Sequence, residues 1–257
     1  MKKLILLFLL CLLGAGFKTD VAHVLAKMAA IAYEPANDIN AWRCEKCKSY
    51  PLSKVKVFNK GDGQGFAGYY PNAKAIIVAF RGSSNIPNWV HNMQVTFTAY
   101  NNCKGCKVHN GFYMGFLALK TDMMTHLQAL NAAYPGSKFW ITGHSLGGAQ
   151  AHFAAADIHD KFGRVDYCVT MGQPRVGNND FAHWLGKLVP LYRVTHSADL
   201  VPHLPPGNTD YKHCCEEIWY DQHMKNYKHC DGDSEHCSNS VNKLNLNLDD
   251  HSMDRYY

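Results

Sequence analysis

Phe139-Trp140-Ile141-Thr142-Gly143-His144-Ser145-Leu146-Gly147-Gly148 sets a short apolar run, a Gly-x-Ser-x-Gly core and the opening of a helical pattern in direct succession. Phe139–Thr142 predicts a strand and Leu146–Phe162 a helix, so Ser145 falls at the junction between them. A turn that sharp forces strained backbone angles on the serine, and the flanking glycines leave room for neighbouring elements to close in. The hydroxyl is thereby raised to the C-terminal edge of a sheet, at the positive end of a helix. The same glycines would also suit a plain Gly-rich turn, but the strand before and the helix after favour a nucleophile.

Outward from this junction, Tyr167–Met171 and Leu191–Thr195 read as strands and Asn178–Leu188 as the helix between them. Strand-helix-strand order at that spacing requires right-handed crossovers and a largely parallel sheet. Upstream, Val55–Lys60, Phe66–Tyr70 and Ala75–Phe80 are strands punctuated by Gly61-Asp62-Gly63 and Pro71-Asn72, turn chemistry that adds hairpins to one side. Thr19–Glu34 carries apolar residues at Ala22, Leu25, Ala29 and Ala32/Tyr33 and stops at Pro35, and Gly111–Leu130 has a second helical face. The Cys- and Asn-rich tail beyond Tyr211 reads as ordered loops around one strand-like run, Glu217–Tyr220. The fold class is therefore α/β, a mixed and mostly parallel sheet flanked by helices in a single domain over residues 17–257.

The chain has 257 residues, with 47% hydrophobic, 12% aromatic and only 18% charged. Those proportions exclude a disordered chain, a coiled coil and a collagen-like rod. Met1–Gly16 holds two lysines, an apolar run from Leu4 to Leu13 and the small residues Gly14-Ala15-Gly16, the pattern of a secretory leader. Ten apolar residues at ~1.5 Å each cover about half of a ~30 Å hydrocarbon core, too little for an anchor. Removing Lys2 and Lys3 leaves 24 basic against 21 acidic residues, an excess too small to imply nucleic acid.

Of ten cysteines, Cys11 lies in the leader and nine remain, which read as disulfides in an oxidising compartment. Cys103–Cys106 and Cys230–Cys237 are expected as local bridges, with Cys44 and Cys47 joined to each other or to distant partners. A zinc site from the two Cys-x-x-Cys pairs is the competing reading. Cys214 and Cys215 stay unassigned, and Cys168 reads as a buried small hydrophobe. Asp231-Gly232-Asp233-Ser234-Glu235 lacks EF-hand spacing and reads as an acidic loop closed by a disulfide, so no metal site is expected.

A serine hydroxyl is a weak nucleophile until a base takes its proton, so a histidine and an orienting carboxylate must accompany Ser145. In this fold type they follow in the order Ser, Asp, His. Asp199 stands just beyond the Leu191–Thr195 strand, at the same sheet edge as Ser145, whereas Asp180 opens a helix and Asp210 lies in a Pro/Gly-rich loop. His203, His213, His223, His229, His236 and His251 all follow Asp199. Loop position favours His251, with His223 second, but residue chemistry alone does not choose.

Five stretches resemble the fungal-type class 3 lipases, a family that includes feruloyl esterases: Phe80-Arg81-Gly82-Ser83-Ser84 with Trp89, Cys103-x-x-Cys106 with His109-x-Gly111, Gly143–Gly148, Gly172-Gln173-Pro174-Arg175-Val176-Gly177 and Asp199-Leu200-Val201-Pro202-His203-Leu204-Pro205. The resemblance implies an α/β-hydrolase fold with Ser145 as nucleophile, Asp199 as acid and His251 as base. It implies an oxyanion hole from Ser83 and the Leu146 N–H, the fixed donors that acyl transfer needs. The family's aromatic soon after the histidine is displaced here to Tyr256.

Ile86, Trp89, Val90 and Met93 follow at helical spacing, the apolar face an interfacial lid requires; the alternative is an ordinary packed surface helix. The apolar segment favours triacylglycerol or another long-chain ester over phenolic esters, with a soluble-ester esterase, a phospholipase or a non-catalytic lipid-binding relative as alternatives. No cofactor is implied.

Overall fold

A computed structural model describes residues 16–257, so the leader-like stretch through Ala15 lies outside the described residues. The first helix, α1 (Thr19–Ile31), buries Ala22, Leu25, Met28 and Ala29 on one stripe, and a short α2 (Ala36–Asn40) follows Pro35. Two hairpins then run through β1 (Ser53–Lys60), β2 (Gly63–Tyr70) and β3 (Ala75–Phe80), paired antiparallel. All six residues of β3 are buried. A strand covered on both faces needs such a run rather than an alternation.

After β3 come α3 (Ile86–His91), β4 (Phe97–Ala99), β5 (Lys107–His109) and the long α4 (Asn110–Ala133), which buries Phe112, Phe116, Leu119, Met123, Leu127 and Leu130. Strand β6 (Lys138–His144) leads into α5 (Leu146–Phe162), buried from Gly147 through Ile158. Such a helix is apolar nearly all round, and its alanines let neighbours approach on every side. The chain continues through β7 (Tyr167–Met171), β8 (Gly177–Asn178), α6 (Asn179–Leu188), β9 (Leu191–His196), β10 (Tyr211–Lys212), β11 (Glu216–Tyr220) and β12 (Tyr227–Asp231).

Eight strands form the main sheet in the order β1-β2-β3-β6-β7-β9-β11-β12, with β3 through β11 parallel and antiparallel strands at both sides. Ile76, Val78 and Phe80 face the cluster that includes α4 and α5, while Ala75, Ile77 and Ala79 face α1. The predicted mixed, mostly parallel α/β domain is therefore observed. Two corrections apply. In the tail beyond Tyr211 the strand-like run Glu217–Tyr220 is β11, but a second strand that the sequence pattern does not predict, β12, pairs with it at the sheet edge, and β4, β5, β8 and β10 make a second small sheet. Strands of two or three residues carry no period that a sequence reveals. No helix among the described residues is long and apolar enough to cross a membrane.

The disulfides are Cys44–Cys47, Cys103–Cys106 and Cys230–Cys237, with Cα separations of 5.0, 5.6 and 6.2 Å. Each Cys-x-x-Cys pair closes on itself, and Asp233 in the acidic loop pairs with Arg175 at 2.8 Å. Cys168, Cys214 and Cys215 are free thiols. Burial pushes the Cys168 thiol up, away from the reactive thiolate form. Non-reducing peptide mapping should recover the three bridges, and Cys168 should alkylate only after unfolding; rapid labelling of Cys168 in the native protein would refute this packing.

Candidate active site

The parallel register gathers the candidate residues. Phe80 pairs with Gly143, His144 with Met171, and Met171 with Val194, so the C-terminal ends of β3, β6, β7 and β9 lie side by side. Arg81-Gly82-Ser83, Ser145, Gly172 and Asp199 each follow one of those ends. Ser145 has φ 57° and ψ −129°, a left-handed geometry that a non-glycine residue adopts only when its surroundings enforce it. Its N–H donates to the Met171 carbonyl at 2.9 Å, and a Cβ at Gly147 would overlap the Phe80 carbonyl. Glycine is required there because α5 starts against β3.

His251 lies in a 3-10 turn, Asp249–His251, and its Nδ1 is 2.8 Å from Asp199 Oδ2. The same carboxylate oxygen accepts the Tyr256 hydroxyl, and Oδ1 accepts the Val201 N–H at 2.8 Å. Asp199 and Asn247 form a parallel bridge, with Leu200 N–H donating to the Asn247 carbonyl and Asn247 N–H to that of Ala198, both at 2.9 Å. Asp250 accepts the Ala198 N–H at 3.1 Å. The Asp199 loop and the His251 loop are thus pinned together. Gly172, at φ +54°, sits against them: a Cβ there would lie 2.8 Å from Asp199 Oδ2 and 2.9 Å from His251 Nδ1.

With Nδ1–H committed to the carboxylate, His251 Nε2 carries the lone pair. Both Nε2 and Ser145 Oγ are buried with no hydrogen-bond partner among the described residues, and neither residue has exposed surface. A lone pair able to take a proton and a hydroxyl able to give one are thus both left unsatisfied in the site. The other candidates are elsewhere engaged. Asp180 is in the first turn of α6, Asp210 is exposed, and His223 is exposed in the loop between β11 and β12.

Ser83 Oγ lies 3.3 Å from both the N and the carbonyl O of Asn85, so its hydroxyl is turned into the following loop. Leu146 opens α5, where its N–H has no acceptor within the helix. Asn85 caps α3 by accepting the Asn88 N–H at 3.1 Å, and Trp89 stacks on Phe112 at 6.0 Å. Ile86, Trp89, Val90 and Met93 are all half-buried, and Val95 and Met114 are exposed.

Three site residues carried no local signal. Gly172 lay in a motif without an assigned role, Tyr256 was marked only through the resemblance as a displaced aromatic, and Tyr33 read as an apolar position of a helix that ends at Ile31. Tyr33 instead turns its hydroxyl to His144 Nδ1 at 2.7 Å. His144 and His213 are buried, and loss of solvation holds both well below the usual histidine range.

The family profile described as "Lipase (class 3)" matches residues 77–209. The chain is 32% identical over 213 residues to a lipase of Rhizopus niveus, covering 79% of this chain and 54% of that one. It is 40% identical over 149 residues to secreted mono- and diacylglycerol lipase 1 of Fusarium solani, covering 58% and 44%. The chain thus spans about half the length of the curated relatives it matches. Among solved structures, a triacylglycerol lipase whose catalytic centre is described as a serine protease triad superposes with a TM-score of 0.83 at 28% identity, covering 91% of this chain and 92% of the other.

The two buried histidines dictate an acid response. Their folded pKa values lie below the unfolded value of about 6.5, so below that pH the unfolded chain binds protons that the folded chain refuses. Their contribution is therefore fully present above pH 6.5 and falls by about 1.4 kcal/mol per pH unit for each histidine as pH drops. Urea unfolding at pH 7.5, 6.0 and 5.0 should show this decline, and His213→Gln should flatten it; a slope that the variant leaves unchanged would remove His213 from the account.

Proposed function

The chain belongs to the class 3 lipase family, and on that premise we propose that it is a secreted lipid ester hydrolase that cleaves triacylglycerols through an acyl-enzyme on Ser145. The observation that carries this reading is the pairing of His251 Nδ1 with a buried carboxylate while His251 Nε2 and Ser145 Oγ remain unsatisfied. In the proposed cycle, Nε2 takes the Ser145 proton as Oγ attacks the ester carbonyl, and Asp199 stabilises the imidazolium that forms. The N–H groups of Leu146 and Ser83 hold the oxyanion, the Ser83 hydroxyl adding a donor once it leaves Asn85. His251 then protonates the departing alcohol, and water repeats the sequence on the acyl-enzyme. The cycle written this way uses no cofactor and no metal.

The substrate class follows from α3. Ile86, Trp89 and Val90 of α3 and Met93 just after it are half-buried apolar residues, Trp89 stacked on Phe112, and Ser145 has no exposed surface, which supports a lid that opens on contact with lipid. Burying one Trp and two aliphatic side chains at ~25 cal/mol per Å² offsets an opening cost of a few kcal/mol. Secretion is supported by the leader-like stretch through Gly16, by the three disulfides and by a relative named as secreted.

Ser145→Ala and His251→Ala should each lower kcat on a soluble chromogenic ester by about 10⁴-fold or more. His223→Ala should stay within about two-fold of the wild type, as a substitution of an exposed residue outside the site. Near-normal turnover in Ser145→Ala would end the serine mechanism, and a silent His251→Ala would show that another base acts. For the lid, the rate should rise steeply as an ester passes its solubility limit, and Trp89→Ser should reduce activity on emulsified triolein far more than on the soluble ester. Smooth saturation through that limit would indicate a soluble-ester esterase, and equal losses on both substrates would make Trp89 a packing residue.

A further inference from the structure

Tyr33, just beyond α1, touches the two loops that the proposed acyl-transfer chemistry requires, and the inference below rests on that reading. Its hydroxyl oxygen is 3.1 Å from the Gly82 N–H and 2.7 Å from His144 Nδ1, while His144 Nε2 is 2.8 Å from the His251 carbonyl oxygen. The proton positions follow by elimination. A carbonyl only accepts, so His144 Nε2 carries the hydrogen; in the neutral ring Nδ1 is then the acceptor, and the Tyr33 O–H must donate to it. The phenol oxygen in turn accepts the Gly82 N–H. A Cβ at Gly82 would strike the phenol oxygen and approach the His144 carbonyl and Ser145 Cβ to 2.8 Å, so this glycine is needed for the contact.

His144 is stacked on His251 with ring centroids 4.6 Å apart and has 1% of its surface exposed. The titratable groups facing the His144 ring are Tyr33, His251 and Tyr256. Arg81 acts on the phenol, and Asp199 reaches the ring only through His251 and Tyr256. Burial keeps the phenol protonated and His144 neutral, and a positive His251 lowers His144 further. Two stacked imidazoliums would repel each other in a buried site. His144 must therefore stay uncharged when His251 takes the Ser145 proton.

We propose that Tyr33 is a positioning residue of this site: its O–H locks His144 in the neutral Nε2–H form, and its oxygen holds the Gly82 N–H. One phenol thereby sets the Ser83 donor loop and the His251 base loop against Ser145. Without the O–H, the donor loop loses its tether. His144 Nδ1 then loses the donor that favours the neutral ring, so His144 protonates at higher pH than before and opposes charge on His251. The acid limb of the activity profile must move upward.

Tyr33→Phe keeps the ring and removes only the hydroxyl. On a soluble p-nitrophenyl butyrate assay, kcat should fall about 10- to 100-fold with KM within about two-fold of the wild type, the signature of lost positioning rather than lost binding. The acid limb of kcat should move up by at least about half a pH unit. Adding His144→Gln, whose amide still donates to the His251 carbonyl but cannot be protonated, should abolish that displacement. A kcat within two-fold of wild type, an acid limb that does not move, or a displacement that persists in the double variant would each overturn the proposal. Wild type and Ser145→Ala in the same assay judge the serine mechanism separately. Imidazole ¹⁵N spectra judge the tautomer without turnover: His144 should be in the Nε2–H form in the native protein and lose it in Tyr33→Phe. A wild-type Nδ1–H signal would overturn the proposal whatever the activity.

Discussion

Asp199 is a carboxylate with 2% of its surface exposed and, among the described residues, no lysine or arginine within ion-pair range. An isolated charge in such a place costs far more than a domain of this size can spare. It is tolerated because His251, Tyr256 and Val201 all donate to it. Each donor comes from a different stretch of chain, so satisfying this one group draws the loop after β9, the turn at Asp249–His251 and the C-terminal tail into contact. Removing any single donor would leave a buried acceptor short of a bond.

The sheet converts that local demand into a site. Because β3, β6, β7 and β9 run parallel, their C-terminal ends share an edge, and every residue that follows one of them emerges in the same small volume. The close approaches are steric as well as polar. Gly147 lets α5 start against Phe80, and Gly172 lets β7 end against the Asp199–His251 pair. A methyl group at either place would separate elements whose spacing the site needs. Strain at Ser145 is sustained by the same packing, since α5 is buried from Gly147 to Ile158 and cannot relax outward.

Histidine rings are the second material of the site. His196 Nδ1 and Nε2 lie 3.0 and 3.2 Å from the carbonyl oxygens of Asp250 and Gln222, and His144 Nε2 bonds that of His251, so both rings pack against the backbone around Asp250 and His251. The segment around His251 is a run of short 3-10 turns without a strand or long helix of its own. Side chains from β6 and β9 therefore do the work that a regular element would otherwise do.

Local chemistry was enough for the parts that depend on neighbours in sequence. The strand-to-helix junction at Ser145, the six-residue face of α4, the hairpins before Ala75 and the strand-helix alternation all follow from period and turn residues, and all were legible without coordinates. Ser145 was legible for the same reason, because an elbow is a local event. The choice of His251 over the five other histidines after Asp199 was not local: residue chemistry left it open, loop position only ranked it ahead of His223, and the resemblance to a known family pointed to it. Its partner is 52 residues away, and Tyr256 reaches the same carboxylate across 57. Tyr33 is further still, 111 residues from His144, and in sequence it looks like one more apolar position on a helix. Side-chain period reports which face of an element is buried; which buried groups meet is set by how the elements close over one another.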